Sequence, residues 1–194
     1  CGYFRQDKRI GLSPIPASVI ANIIESAGVS KIITLDLHSS QIEGFFHIPI
    51  MNIELSHIFQ DEISKIKNSV IVSPDIGGIK RAQKVAAMFG LDLVIIDKQR
   101  DSKGNPKMTD IMGSVDGNQC ILVDDIVDSG RTIIKAAEIL KYKGAQQVDC
   151  FITHGVLSGN AISSIQDSLI NSITITDSIF HSNLPTKFKI KHVA

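Results

Sequence analysis

Tryptophan is absent from the 194-residue chain, and cysteine (three residues), proline (six) and aromatic residues (5%) are sparse. Cys1, Cys120 and Cys150 are odd in number, widely spaced and form no C-x-x-C pair. That excludes a disulfide framework and a zinc ribbon, and it predicts a reducing compartment, the cytoplasm. A surplus of one charge is also missing: 20 Lys+Arg balance 20 Asp+Glu. Non-specific nucleic-acid binding needs a basic excess to displace counterions, so nucleic acid is not expected as a partner. No apolar run approaches the ~20 residues that span a bilayer, and the start does not read as a signal peptide, so no membrane partner is expected. Repeats, low-complexity tracts and Pro/Ser-rich linkers are lacking too. What remains is 43% hydrophobic and 21% charged residues, enough to build a packed core in one domain or a domain and a fraction.

Short β-branched runs alternate with longer amphipathic ones. Strands are predicted over Lys31–Asp36, Ser69–Ser73, Leu91–Asp97, Gln119–Asp124, Val148–His154 and Ile170–Thr176, with a further strand at Phe188–Val193. Most are nearly continuous in apolar residues, as parallel strands covered on both faces must be. Helices are predicted over Ala17–Ala27, Ser56–Lys65, Gly78–Phe89, Thr132–Lys143 and Asn160–Gln166. In the fourth, Ile133, Ala136, Ala137 and Leu140 form a stripe suited to packing on a sheet. Strand–helix alternation predicts a doubly wound, mainly parallel α/β sheet with flanking helices. Ligands of such sheets sit beyond the carboxyl ends of the strands, so the residues after each strand matter most.

After the fourth strand the chain reads Asp124-Asp125-Ile126-Val127-Asp128-Ser129-Gly130-Arg131-Thr132 and then enters a helix. Gly130 permits the positive-φ turn that converges successive N–H groups on an anion, and the helix start adds unpaired N–H groups. Hydroxyls of Ser129 and Thr132 complete a phosphate cradle. The adjacent carboxylates Asp124 and Asp125 then face ribose hydroxyls, or Mg²⁺ bridging to them.

This string resembles the ribose 5-phosphate loop of type I phosphoribosyltransferase folds. Four further strings, in family order, are similar to ribose-phosphate pyrophosphokinases. They are Tyr3-Phe4-Arg5-Gln6-Asp7-Lys8-Arg9, Leu35-Asp36-Leu37-His38 continuing to Pro49, Ser73-Pro74-Asp75-Ile76-Gly77-Gly78, and Lys98-Gln99-Arg100. The resemblance covers essentially the whole chain and implies a phosphoribosyltransferase-like fold. The implied reaction is transfer of the diphosphoryl group of ATP to the 1-hydroxyl of ribose 5-phosphate, giving phosphoribosyl pyrophosphate and AMP.

In that case Asp124, Asp125, Asp128, Ser129, Gly130, Arg131 and Thr132 bind ribose 5-phosphate, and Arg5, Gln6 and Asp7 contact ATP. Asp75, Gly77 and Gly78 form a diphosphate loop. Asp36, His38 and Asp75 organise Mg²⁺, and Lys98, Arg100 and His38 are catalytic. Family members carry two similar α/β domains and assemble from dimers into hexamers. Residues 1–52 are therefore expected to be the C-terminal part of a first phosphoribosyltransferase-like domain, residues 53–194 the second, and the protein a truncated homo-oligomer. Arg131 departs from the family pattern, which carries glycine there, and matches ordinary transferases. A phosphoribosyltransferase of nucleotide salvage is thus the alternative, with a non-catalytic synthetase-like subunit as the third.

Overall fold

The computed structural model describes residues 2–97 and 110–193, and the chain divides into two compact units, Cys1–Leu55 and Ser56–Ala194.

In the first unit, helix α1 (Pro16–Ser26) opens on a proline at its first turn, where the missing N–H costs nothing. It precedes β1 (Ile32–Leu35), which pairs in parallel with β2 (Ile50–Ile53), Ile32 opposite Ile50 and Leu35 opposite Ile53. The connection between them contains a 3₁₀ turn, Ser40–Phe45, whose Ile42 is fully buried along with Ala17 and Ala21 of α1. Phe45 and Phe46 are half-buried, and the Phe46 ring lies 6.0 Å from that of Phe4. Strand β2 has no counterpart among the predicted elements.

The second unit opens with a 3₁₀ turn, Ser56–Phe59, and a single α turn, α2 (Gln60–Ile63). The predicted helix over Ser56–Lys65 is therefore broken at Phe59, which has φ −88° and ψ 6°. Strands β3 (Ser69–Ser73), β4 (Leu93–Asp97), β5 (Asp110–Met112), β6 (Gln119–Val127), β7 (Gln147–Gly155), β8 (Ser172–Thr176) and β9 (Phe188–Lys191) form one sheet in the order β5-β4-β3-β6-β7-β8-β9. Every pairing is parallel except β4 with the short edge strand β5, which the hydrophobic pattern did not predict.

Helices α3 (Ile79–Phe89), α4 (Arg131–Tyr142) and α5 (Ala161–Gln166) cover the faces. Alternation along the central strands sorts the core in two. Ile71, Ile121 and Val123 pack with Ala82, Val85 and Ala86 of α3. Val70, Val72, Cys120 and Leu122 pack with Ile133, Ala136, Ala137 and Leu140 of α4, which is the predicted stripe. Both faces of β3 and β6 are thus dry, which is why their sequences are apolar without a break.

The topology also says where a ligand belongs. From β3 the chain crosses through α3 to β4 on one side, whereas from β6 it crosses through α4 to β7 on the other. The direction of winding reverses between β3 and β6, and in sheets of this kind the ligand crevice lies at the carboxyl ends of the strands flanking that reversal.

Candidate functional site

The fourth strand was expected to stop at Asp124. It runs on to Val127, carrying both acids on its upper end. Asp124 pairs with Ile152, Ile126 with His154 and Val127 with Gly155 of β7, while Asp125 falls between rungs. Val127 packs on the α4 side of the sheet, where strict alternation from Cys120 would put it on the other. The pleat changes phase across the acid pair, the usual signature of a local irregularity that re-aims side chains.

Beyond Val127 the loop closes on Gly130, which has φ 76° and ψ −10° and caps α4. A Cβ there would lie 3.0 Å from Cγ1 and 3.1 Å from Cδ1 of Ile165. Only glycine satisfies both the backbone angle and the space. Three backbone bonds brace the loop from the β7–α5 connection: the N–H groups of Val156 and Leu157 donate to the Val127 carbonyl, and that of Ser158 to the Asp128 carbonyl, at 2.9, 3.2 and 3.1 Å. Ser129, Arg131 and Thr132 are exposed, Asp128 is half-buried and Gly130 is buried. The start of a twelve-residue helix is thereby presented to solvent on a rigid base, with its first N–H groups available to an anion.

On the other side of the crevice, the loop after β3 folds on itself. The Ser73 hydroxyl donates to the Asp75 carbonyl at 2.7 Å, and the Gly78 N–H donates to Asp75 Oδ1 at 3.1 Å. A Cβ on Gly78 would meet Ser73 Oγ at 2.9 Å, so the turn needs glycine for space rather than for backbone angle. Asp75 therefore has a structural task, holding the entry to α3, and remains half-buried at the crevice edge.

The sequence reading overlooked Arg81, in the first turn of α3. Its Nη1 lies 3.1 Å from Asp125 Oδ1 and 3.6 Å from Asp124 Oδ1. Asp125 is nearly buried, with 5% of its side chain exposed, whereas Asp124 keeps 17%. The Asp125 N–H donates to Asp124 Oδ1 at 2.9 Å, linking the two. The Asp124 carboxyl is held well above the ordinary carboxylate range. Desolvation is the main cause, followed by the charge and hydrogen bonding of Asp125; Arg81 pulls the other way, and the charge of Asp75 adds to the rise. Two carboxylates thus share one guanidinium, with the charge of Asp75 felt at Asp124, and the crevice favours a cation or hydroxyl donors.

This arrangement has a measurable consequence for the ligand-free chain. A carboxyl with a folded-state value raised above its ordinary 3.8 binds protons more tightly folded than unfolded. Its contribution to stability is full below the unfolded value and is lost as pH rises through the folded one. At neutral pH Asp124 is therefore a liability. We expect Asp124→Asn to raise the Tm by ~2–5 °C, about 1 kcal/mol in a domain of this size. The gain should shrink as pH is lowered toward 4 in differential scanning calorimetry; an unchanged or lower Tm at pH 7 would contradict the buried-charge account.

In the first unit the structure brings two of the predicted strings together. The Ser39 hydroxyl donates to Asp7 Oδ2 at 2.6 Å, and the Gln41 amide donates to the Asp7 carbonyl at 2.9 Å. Asp7 is buried, so it acts as a clasp between the Arg5–Asp7 segment and the loop after β1. Arg5 is half-buried and Gln6 exposed. Asp36, at φ 40°, accepts the Leu55 N–H at 3.2 Å and so ties the end of β2; His38 is exposed. Among the described residues no group of three or more His, Cys, Asp or Glu side chains is gathered to hold a metal ion. Lys98 and Arg100 lie outside the described residues.

The two described thiols play no part. Burial pushes Cys120 up to about 12 and Cys150 higher still, so both behave as small apolar side chains.

A parallel sheet with this strand order, and a glycine-bearing loop between strand and helix at its reversal point, is that of a known class. The chain belongs to the phosphoribosyl transferase domain family, whose profile matches residues 41–189. Within that class it is similar to two proteins named ribose-phosphate pyrophosphokinase. It is 42% identical over 199 residues to the one from Thermotoga maritima, covering 100% of this chain and 63% of the relative. It is 46% identical over 198 residues to that from Thermosipho africanus, again covering 100% and 63%. The crystal structure of phosphoribosylpyrophosphate synthetase from Mycobacterium smegmatis superposes with a TM-score of 0.89 at 32% identity, over 99% of this chain and 64% of that one. The chain thus spans about three-fifths of the length of the curated relatives it matches. No helix among the described residues is long and apolar enough to cross a membrane.

Proposed function

We propose that this chain serves the ribose-phosphate diphosphokinase reaction. The O1 hydroxyl of ribose 5-phosphate attacks the β-phosphorus of ATP, the bond from that phosphorus to the α,β-bridging oxygen breaks, AMP leaves, and the hydroxyl proton is released. The observation that carries this proposal is the rigid, glycine-dependent loop Asp124–Thr132 at the reversal point of the sheet, in a chain whose full length aligns with ribose-phosphate pyrophosphokinases.

In this proposal the N–H groups around Ser129–Thr132, with the Ser129 and Thr132 hydroxyls and the Arg131 guanidinium, hold the 5-phosphate. Asp124 and Asp128 hold the ribose hydroxyls, and Asp125 belongs to the same site through the bond from its N–H to Asp124. Asp75, Gly77 and Gly78 lie along the diphosphate, and Arg5, Gln6 and Asp7 face ATP, with Asp7 acting through its clasp on Ser39. Asp75 in the second unit, and Asp36 and His38 in the first, are each proposed as Mg²⁺-binding residues, with the remaining positions completed by phosphate oxygens, as Mg²⁺ commonly is. When bound, it supplies charge compensation to the transferring phosphoryl group. Lys98 and Arg100, together with His38, are the proposed catalytic groups. The protein contributes alignment and electrostatics rather than covalent chemistry.

Residues 1–52 are proposed as the last part of a first phosphoribosyltransferase-like domain and 53–194 as the second, in a cytoplasmic homo-oligomer. Exposed Ile33, Met51 and Ile53 on the two-stranded sheet support additional packing there. Product analysis tests the reaction: incubation with ATP, Mg²⁺ and ribose 5-phosphate should give AMP and phosphoribosyl pyrophosphate in equal amounts. Consumption of phosphoribosyl pyrophosphate with a free base, and no AMP from ATP, would instead identify a salvage phosphoribosyltransferase, the alternative that Arg131 favours.

A further inference from the structure

We infer that Arg81 is a positioning residue for ribose 5-phosphate: it locks the Asp125 carboxylate and, through Asp125, sets Asp124 as the acid that meets the sugar. The inference rests on the ribose 5-phosphate reading above and goes beyond it, because it divides two adjacent acids into one that holds and one that is held.

The placement of Arg81 is itself unusual. The first turn of α3 carries Lys80 and Arg81 and no acid. Cations at the positive end of a helix dipole are disfavoured by roughly 0.3–1 kcal/mol each. A guanidinium there needs a compensating partner, and the structure supplies it. Alternate residues Ile121 and Val123 of β6 pack against Ala82, Val85 and Ala86 of α3. Two residues further along the same strand, Asp125 reaches the same helix one turn earlier, at Arg81.

The result is a pair bond at 3.1 Å with both side chains largely withdrawn from water, 21% and 5% exposed. Such a pair is screened little by solvent, and loss of one partner leaves the other charge uncompensated. Asp125 is consequently poorly placed to be a direct ligand group. Asp124 is the more exposed acid of the two and accepts the Asp125 N–H at 2.9 Å. An anchored Asp125 side chain restrains its own Cα and backbone, and with them the N–H that Asp124 accepts. Arg81 at 3.6 Å from Asp124 Oδ1 is too long for a hydrogen bond to it, so its influence on Asp124 passes by charge and by the Asp125 backbone. No part of Arg81 needs to touch the sugar.

The test uses Arg81→Gln, Arg81→Lys, Asp125→Asn and the double variant Arg81→Gln/Asp125→Asn, with ribose 5-phosphate affinity from calorimetry and Tm without ligand. Arg81→Gln should weaken ribose 5-phosphate binding at least ~10-fold, since a displaced contact group costs one to two powers of ten. Arg81→Lys should recover most of that loss, because a single cation at the same distance suffices to hold one oxygen. In the double variant the affinity loss should be no greater than in Asp125→Asn alone, as residues acting in one chain are not additive.

Native-like affinity in Arg81→Gln, or fully additive losses in the double variant, would overturn the positioning role while leaving the ribose 5-phosphate site intact. Equal loss in Arg81→Gln and Arg81→Lys, tracking a fall in Tm, would reduce Arg81 to a stability role and overturn the inference as well. Should the unsubstituted chain fail to bind ribose 5-phosphate, the functional reading falls first and the inference with it.

Discussion

Lys98→Ala is expected to lower kcat by ~10²–10³-fold while shifting the KM for ribose 5-phosphate by less than about 3-fold. In the sequence Lys98 directly follows Asp97, where β4 ends beside β3. In the proposed reaction the transferring diphosphoryl group carries its greatest equatorial charge in the transition state. A cation that meets it there contributes to rate and not to ground-state affinity. Steady-state kinetics with both substrates varied separates the outcomes. If kcat is retained and both KM values rise together, Lys98 is a binding group and its proposed role is wrong.

Gly130→Ala should be nearly as damaging, through binding. At φ 76° an alanine costs about 1–2 kcal/mol in backbone strain. Its Cβ would also press on Ile165 at 3.0 and 3.1 Å, a fully buried residue of α5 that cannot swing aside. The loop must move instead, and the three bonds from the β7–α5 connection mean that it moves as a block. A displacement near 1 Å of the N–H groups around Ser129–Thr132 is worth ~10²-fold in affinity for a phosphate they were aligned to hold. Calorimetry with ribose 5-phosphate should show that loss together with a Tm lower by several degrees. Wild-type affinity in Gly130→Ala would mean that the phosphate does not sit on this turn.

The architecture was legible because the buried strands carry it openly. Val70–Val72 and Ile121–Val123 are apolar on both sides, and their two faces match two separate cores. The stripe on α4 was readable for the same reason. Short edge elements were not: β2, with Asn52 in the middle of four residues, and β5, with three residues, pack too little surface to leave a pattern. The broken helix after Ser56 turns at Phe59, a residue whose side chain reads equally well in either conformation.

At the site, the loop from Asp124 to Thr132 was readable as chemistry because strand, acids, glycine and helix start follow one another. Two things were hidden. The strand was expected to end at Asp124, since carboxylates leave a core unless partnered; it continues because Arg81 provides the partner for Asp125. Arg81 is hard to read from the sequence because it sits inside the amphipathic pattern of α3, away from any strand end. Its one signal was electrostatic: basic residues where a helix start prefers acids. The Asp7 clasp was equally opaque, since its partners Ser39 and Gln41 are distant in sequence.

Diffraction from crystals soaked with ribose 5-phosphate is the most direct examination of the central claim. The account predicts phosphate density against the backbone N–H groups of Ser129–Thr132, with the sugar hydroxyls toward Asp124 and Asp128. Density at another part of the molecule, or an unchanged loop at saturating sugar phosphate, would contradict it.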